Sequence, residues 1–555
     1  MKIVFINGTI YTMDKENSVA SAIGMENGFI TAVGTDAAVL TQVDRPDRVV
    51  DLHGKAMLPG FYDGHMHLLS YGYSKTMAYL DDCASIEDLI LCVKEHIKQC
   101  ELMPGTWVEG RGWNEGAYPE RRMPDRHDLD RISTDHMIVL GRSCSFACVV
   151  NTKALQELGM LEASHLSEAV SVEVNAEGHP TGIFLGEATH LVYSKMPRLG
   201  VEGIRKAVLA ACRDYVRAGI TSVDTDDFEL TRAGTFRQIL QVYSELDKTG
   251  QLPLRINQML YLPTWELLED FLTTGYRTGD GSPFFRIGSF KLLTDGSLGT
   301  RRAALMEPYA DSAESMGSVM HSQKELSALM RRAFESGLDL VGDGIGDRGI
   351  YMLLKAYEPL VNENPGKDLR FCIDHSQITT EGIIEEYKRL NVIGGCELVF
   401  VASDIDIVED RVGMHRASLA YNWKRFYDMG ITVTAGSDSP VEPFEPLLGI
   451  HAAVNRRNWS GKPAGGWLPE QRLSVEQAVR ALTTGSAYAA REEHLKGTLE
   501  VGKYADAVVL SEDIFRIDPD RIDQTAVLMT IVNGHVAWEE QARMLLMAMP
   551  RPKRP

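Results

Sequence analysis

The chain has 555 residues, of which 44% are hydrophobic and 24% charged, with 49 Gly and 22 Pro. This composition is typical of a folded globular protein and excludes collagen-like, coiled-coil and wholly disordered chains. The 77 Asp and Glu residues outnumber the 57 Lys and Arg residues, giving a formal net charge of −20. Because a negative surface repels phosphate backbones and anionic lipids, we expect neither nucleic acid nor membrane as a partner.

Two features of the sequence predict a cytoplasmic location. The first residues, MKIVFINGTIYTMD, lack the apolar run and cleavage site of a secretory signal, and no stretch approaches the ~18–20 apolar residues of a membrane span. The eight cysteines contain no C-x-x-C pair. Cysteines this sparse are typical of reduced, buried thiols rather than of a disulfide framework.

The two ends of the chain share a β-rich texture. Residues 1–57 form short β-branched runs with Asn-Gly turns, and residues 491–545 return to the same style. Neither segment contains enough strands for a core of its own. We therefore predict that both ends join into one composite β domain.

Residues 58–490 show an α/β pattern. A helical stretch ending in Gly, then a β-branched strand, then acidic residues, occurs at 217–227, 335–347 and 428–438. Gly is typical after a helix C-terminus. Strands that do not alternate apolar and polar residues are typical of a parallel sheet covered on both faces. The acidic residues then lie at the strand ends, where such folds place their chemistry. Residues 104–200, rich in Gly, Pro and charge, are predicted to form an inserted subdomain.

The strongest local signal for chemistry is GFYDGHMHLL, which contains His65 and His67. On a strand, residues i and i+2 point to the same face, so both imidazoles can bind one cation. The alternative is that they are two unrelated histidines in a loop, because H-x-H is a common chance pattern.

Three further residues lie in strand-like settings. His375, in RFCIDHSQI, ends a β-like run of residues. It can be another metal ligand, or a histidine at a strand end that is held by the backbone or by Asp374. Asp438 follows VTAGS and can bind a metal or accept a proton, or can simply cap the turn before a proline. Lys291 lies between apolar residues and needs a partner, a depressed pKa or a covalent modification; an ion pair with a carboxylate is the simplest explanation.

Taken together, the motifs resemble the amidohydrolase superfamily, specifically its amidohydrolase 3 branch of YtcJ-like and N-substituted formamide deformylase-like proteins. The resemblance rests on their order from about residue 1 to residue 540. In sequence these are NGTIYTMD, LPGFYDGHMHL, GRGWNEGAYPE, MPDRHDLD, VVNTKALQELG, FKLLTDGSLGTRRAAL, GIGDRG, IDHSQI, GSDSPVEPFEPL, LKGTLEVGKYADAVVL and TIVNGHV.

The resemblance implies a distorted (β/α)₈ TIM barrel over residues 58–490, carrying the insertion at about 104–200. It also implies a small β-sandwich domain made of residues 1–57 and 491–545.

The resemblance further implies a divalent metal centre. His65, His67 and Asp438 would bind one ion, and Asp438 would also accept a proton from the attacking water. Lys291, in a position that is often N-carboxylated in this family, would bridge two ions, with His375 as a further ligand. We expect Zn²⁺, as one or two ions, with Mn²⁺ or Fe²⁺ as alternatives.

The sequence departs from the family pattern at two positions. Asp343 stands where the family usually has a histidine ligand, so it either coordinates through oxygen or marks the loss of the second metal. Phe146 replaces another expected histidine near the substrate. We therefore predict an apolar substrate pocket walled by Phe146, Trp113 and Tyr118, although packing in the core is an equal alternative for Trp113 and Tyr118.

These observations predict a metal-dependent amidohydrolase that hydrolyses a C–N bond of a small amide, formamide, carbamate or urea-like substrate. One alternative is a metal-dependent deaminase, decarboxylase or isomerase of the same superfamily. Another is a non-catalytic ligand-binding relative in which the changes at 146 and 343 disable the site. From the superfamily we also expect a homo-oligomer, a dimer.

Overall fold

The computed structural model of the protein describes residues 1–142, 147–161, 172–229 and 233–540. The chain divides into two compact units. The larger comprises Met1–Leu68, Ala211–Glu229 and Leu240–Pro555, and the smaller comprises Leu69–Ala210 and Leu230–Ile239.

The larger unit contains a parallel sheet of eight strands, numbered here in chain order. They are β1 (Phe61–Met66), β2 (Ile220–Thr225), β3 (Arg255–Tyr261), β4 (Phe285–Leu293), β5 (Leu340–Gly344), β6 (Cys372–His375), β7 (Ile393–Glu397) and β8 (Val433–Gly436). Each strand pairs with the next in parallel, in the order β1 to β8. This is the predicted (β/α)₈ barrel.

Three of the strands confirm the repeated helix–Gly–strand pattern. Gly219, Gly337 and Gly430 precede β2, β5 and β8 with φ angles of 86°, 88° and 67°. These left-handed angles suit a residue without a Cβ atom and let the chain leave each helix and enter the strand.

Helices connect the strands of the larger unit. In chain order they are Asp36–Gln42, Phe236–Lys248, Trp265–Leu272, Gln323–Glu335, Asp347–Glu363, Glu381–Leu390, Phe400–Asp404, Val408–Ala417, Trp423–Asp428, Pro446–Asn455, Val475–Arg480, Ala481–Gly485 and Ser486–Ala489, with short turns of helix at Pro469–Gln471 and Pro519–Gln524. Side chains cap several of them; Ser322 and Glu325, for example, form a reciprocal capping box.

The barrel is closed between β8 and β1. The backbone N–H groups of Ser437 and Asp438 both donate to the carbonyl oxygen of His65, at 3.1 and 2.8 Å. The buried Asp63 carboxylate accepts hydrogen bonds from the backbone and the hydroxyl of Ser437, at 2.9 and 2.6 Å. The turn that carries Asp438 is therefore fixed directly to the strand that carries His65.

Both chain ends build the remaining two sheets of this unit. The four-stranded sheet has the order Phe29–Gly34, Ala22–Glu26, Lys2–Ile6 and Arg48–Asp51. The six-stranded sheet has the order His535–Glu539, Val527–Val532, Ala507–Leu510, Ala56–Pro59, Thr9–Tyr11 and Val19–Ala20. One apolar cluster joins them, with Phe5, Ile23 and Val509 among its members. The fold class predicted from the sequence is confirmed, including the β-sandwich built from both ends.

The smaller unit has its own six-stranded sheet. The order is Val172–Val174, Pro180–Leu185, Ala147–Val150, Met137–Arg142, Trp107–Trp113 and Ala78–Tyr79. Its helices are Ile86–Gln99, Arg126–Asp130, Thr152–Glu157 and Thr189–Tyr193, with short turns at Glu115–Ala117 and Gly186–Ala188. The helices Leu68–Ser74 and Val201–Arg217 lead into and out of this unit. It extends beyond the 104–200 insertion predicted from composition, because the strand Ala78–Tyr79 and the helix Ile86–Gln99 belong to the same core.

The described cysteines, which exclude Cys144, are all free thiols. Among the described residues, no helix combines the length and the apolar character needed to cross a membrane.

Candidate metal centre

Six residues selected from the sequence meet at the carboxyl-terminal end of the barrel. His65 lies near the end of β1 and His67 directly after it. Their partners come from strands that are far apart in the sequence: Lys291 on β4, Asp343 on β5, His375 at the end of β6 and Asp438 two residues after β8. All except His67 are buried, and His67 is only slightly exposed.

Asp438 connects the two histidines of the H-x-H pair. Its Oδ1 atom lies 3.0 Å from Nε2 of His67 and 3.4 Å from Nε2 of His65. The two imidazole centroids are 5.6 Å apart. The i, i+2 spacing on a strand thus directs both Nε2 atoms toward one carboxylate, as the alternation of a strand requires.

Two site residues have left-handed backbone angles. φ is 69° at His375 and 56° at Asp438. Residues other than Gly adopt this region rarely, although His and Asp do so more often than most, and such angles concentrate at functional sites. Here they mark the sharp turns at which β6 and β8 end.

Two buried carboxylates hold the far sides of the imidazole rings. Asp374 Oδ2 lies 3.1 Å from Nδ1 of His65, and Glu397 Oε2 lies 3.1 Å from Nδ1 of His375. The third ring is held differently, because Nδ1 of His67 lies 2.9 Å from the backbone carbonyl oxygen of Asp226. An acceptor at Nδ1 favours the tautomer that keeps the Nε2 lone pair free, which is the usual arrangement around metal-binding histidines.

Lys291 lies between two carboxylates. Its Nζ atom is 3.2 Å from Asp226 Oδ2 and 3.2 Å from Asp343 Oδ2, and its side chain is completely buried. Asp343 Oδ2 also lies 3.6 Å from Nε2 of His375. The strand-five aspartate therefore touches both the lysine and the strand-six histidine.

The charges of the site shift the pKa values of its groups. Burial alone would raise the pKa of Asp438, but the nearby imidazole of His65 and the hydrogen bond from His67 hold it well below its usual range. Burial alone would lower the pKa of His67, but the hydrogen bond to Asp438 and the charge of Glu229 raise it to about 9. Asp438 is therefore an anion at neutral pH.

The donor set around Asp438 fits a divalent cation. One ligand atom each from His65, His67 and Asp438 lies within 4.8 Å of the other two, a spacing that a single ion can bridge. Within the described part of the chain, the buried Nε2 of His65 makes no hydrogen bond of normal geometry. Two imidazoles and a carboxylate are ligands that Zn²⁺ prefers.

Two of the three predicted pocket walls belong to the smaller unit. Trp113 and Tyr118 are 0% and 1% exposed and belong to the hydrophobic core of the smaller unit, where the Trp113 indole donates to the carbonyl oxygen of Leu140. This placement agrees with the core-packing alternative. Phe146 lies outside the described residues.

Sequence reasoning did not select four acidic residues that the structure places at the site: Asp63, Asp226, Asp374 and Glu397. A signal exists for three of them. Asp63 precedes His65 by two residues on the same strand face, Asp226 belongs to the acidic end of the first repeat, and Asp374 adjoins His375. The sequence suggests Asp374 only as a partner of His375, whereas the structure places it against His65. Glu397 ends β7, a strand that no sequence motif indicates.

The chain is similar to known proteins in sequence and in fold. The profile described as "Amidohydrolase family" matches residues 48–537. The YtcJ protein of Bacillus subtilis (strain 168) is 30% identical over 97% of this chain and 100% of its own length. The N-substituted formamide deformylase of Arthrobacter pascens is 24% identical over 97% and 98%. The crystal structure of an uncharacterized metal-dependent hydrolase from Pyrococcus furiosus superposes with a TM-score of 0.77 at 28% identity, covering 93% of this chain and 100% of that one.

Proposed function

Because the chain belongs to the amidohydrolase family, we propose that it is a metal-dependent hydrolase of a C–N bond in a small amide, formamide, carbamate or urea-like compound. The observation that carries the proposal is the convergence of His65, His67 and Asp438 at the carboxyl end of the barrel. The formamide substrate class of the Arthrobacter pascens relative supports the C–N bond as the target.

His65, His67 and Asp438 would hold one divalent ion, which we propose to be Zn²⁺ because nitrogen ligands and a single carboxylate suit it. A divalent ion in such a site supplies the Lewis acidity that activates water at neutral pH. His375, Asp343 and Lys291 form the neighbouring set that the family would use for a second ion.

The chain's own residues supply proton transfer and orientation. Asp438 is ionised at neutral pH, so one of its carboxylate oxygens can accept the proton of the attacking water and later return it to the leaving nitrogen. Asp374 and the carbonyl oxygen of Asp226 hold the two imidazoles in place during these steps. Asp63 and Ser437 fix the turn that positions Asp438.

The test is turnover by an Asp438 variant. Purified protein loaded with zinc is screened against amides, formamides, carbamates and ureas, and Asp438→Asn is assayed on the best substrate. Asn is chosen because it tolerates the left-handed backbone at this position, whereas Ala does so less readily. We expect turnover to fall by at least ~10³-fold, since both a ligand and the proton acceptor are lost.

The control is Asp428→Asn, which removes a surface carboxylate paired with Lys424 and should leave turnover unchanged. Full activity of a folded Asp438→Asn protein would rule out Asp438 as the proton acceptor. Formation of ammonia or CO₂ from a substrate that hydrolysis would cleave into an amine and a carboxylate would indicate a deaminase or decarboxylase instead.

A further inference from the structure

Lys291 is surrounded in a way that a carboxylated lysine would not tolerate. Its Nζ atom contacts two carboxylates at the same distance of 3.2 Å, one from Asp226 and one from Asp343. Asp226 is 0% exposed and Asp343 6% exposed, so water screens neither contact strongly.

Formation of a carbamate would reverse the charge at the centre of this cluster. The ammonium group would first lose one proton to free the Nζ lone pair. This lone pair would attack the carbon of CO₂ as one C=O π bond opens, and a second proton would leave the nitrogen, so that a cation would become an anion. Asp226 and Asp343 would then face a third carboxylate. Within the described residues, neither the side-chain oxygens of Asp226 nor Nζ of Lys291 make a hydrogen bond of normal geometry, so the two are joined by charge, and a carbamate would turn that attraction into repulsion.

The aspartate at position 343 adds a second carboxylate beside Lys291. A neutral imidazole there would leave Lys291 with one carboxylate, whereas the aspartate supplies a second and also touches His375 at 3.6 Å. A second carboxylate beside a buried lysine favours its charged form.

We propose that in this chain Lys291 is an ammonium ion that occupies the place of a second metal, so that the centre holds a single ion and no carbamate. The inference rests on the proposed function, because it assumes that His65, His67 and Asp438 bind that single ion. The lysine then lies between the carboxylates of Asp226 and Asp343, while the single divalent ion would face that of Asp438.

The first experiment uses the unaltered protein. It is dialysed with excess Zn²⁺, with and without ¹³C-labelled bicarbonate, and its zinc content and native mass are measured. We expect one zinc ion per chain, no mass increase corresponding to CO₂, and no effect of bicarbonate. Two zinc ions together with a bicarbonate-dependent mass increase would overturn this inference and leave the proposed function standing. Absence of zinc and of turnover would contradict both.

The second experiment is chemical rescue of Lys291→Ala. A small ammonium ion can refill the position of a lost ammonium group, and a small carboxylate can refill that of a lost carbamate. We expect ethylammonium, but not propionate, to raise the thermal unfolding temperature of the variant and to restore its single zinc ion. Rescue by propionate alone would overturn the inference.

Lys355→Ala is the matched control, because Lys355 is a surface lysine paired with Glu358 at 3.0 Å. Neither additive should change its stability or zinc content. If Lys291→Ala does not fold, Lys291→Arg replaces it: Arg keeps the positive charge and cannot form the carbamate, so retention of the single zinc ion is expected. Loss of zinc from a folded Lys291→Arg protein would contradict the proposal.

Discussion

Asp374 Oδ2 lies 3.1 Å from Nδ1 of His65, and this contact turns the Nε2 atom of the same ring toward Asp438. Both residues are 2% exposed, so the contact forms away from solvent. The two come from β6 and β1, which are not neighbours in the sheet. The orientation of the first histidine therefore depends on a carboxylate from the far side of the barrel.

Asp374→Asn should weaken metal binding. The amide removes the negative charge that favours the proton on Nδ1, and loss of such a partner costs ~10–100-fold in metal affinity. Zinc affinity is measured by competition with a chelator. Glu397→Gln makes the matched change beside His375, and we expect a smaller loss because Glu397 contacts the ring of His375, which is not one of the three proposed ligands of the ion. Equal affinities in Asp374→Asn and the unaltered protein would contradict the orienting role.

Metal affinity should rise with pH up to about 9. In the ion-free protein the pKa of His67 is raised to about 9, so protons compete with the ion for Nε2 below that pH. The raised pKa of His67 also makes the stability of the ion-free fold depend on pH. The folded pKa exceeds the ordinary value of 6.5, so the proton on His67 stabilises the ion-free fold below about pH 6.5, and this contribution is lost as pH rises through about 9. Calorimetry of zinc binding in buffers of different ionisation enthalpy measures the released proton; binding without proton release at pH 7 would be inconsistent with this pKa.

Gly436→Ala should destabilise the closure of the barrel. An added Cβ atom would lie 2.5 Å from the backbone nitrogen and 2.6 Å from the carbonyl oxygen of His65, which cannot move aside without separating β8 from β1. We expect a loss of about 1–3 kcal/mol or more of unfolding free energy, with weaker zinc binding.

Gly382→Ala is the control for that change. Its added Cβ would have no neighbour within 4 Å among the described residues, and Gly382 lies in the helix Glu381–Leu390. Because Ala favours helix over Gly, its stability should be equal or slightly higher. Denaturant unfolding measures the free energy of unfolding of both variants. Equal values would show that the close approach of His65 to Gly436 leaves room for a Cβ atom.

Asp506→Ala should destabilise the attachment of the β-sandwich to the barrel. The guanidinium of Arg255, at the start of β3, donates two hydrogen bonds to Asp506, at 2.7 and 3.1 Å, with both side chains almost fully buried. Removing one partner leaves a buried charge unpaired, which costs ~3–5 kcal/mol. Asp428→Ala breaks an exposed pair with Lys424 and should cost at most ~1 kcal/mol. Thermal unfolding distinguishes them, while the folded Asp506→Ala protein should keep its zinc content.

The sequence by itself determined the class of fold. Strands that do not alternate apolar and polar residues, each preceded by a glycine and followed by acidic residues, predict a parallel sheet that is covered on both faces. The sequence can show this because backbone preferences and burial act on neighbouring residues and therefore produce local patterns. The H-x-H pair likewise predicts two imidazoles on one strand face, since the period of a strand is two. The order of the sequence motifs along the chain was enough to indicate the family.

Only the tertiary structure decided which charges face one another. Asp374 stands beside His375 in the chain but contacts His65, and Glu397, with no motif around it, contacts His375. Lys291 finds its two carboxylates on β5 and directly after β2. Such pairings depend on the curvature and closure of the barrel, which bring strand ends together across distances in the sequence that no local pattern encodes. For the same physical reason, Trp113 and Tyr118 lie in the core of the smaller unit, a placement that their residue types alone could not establish.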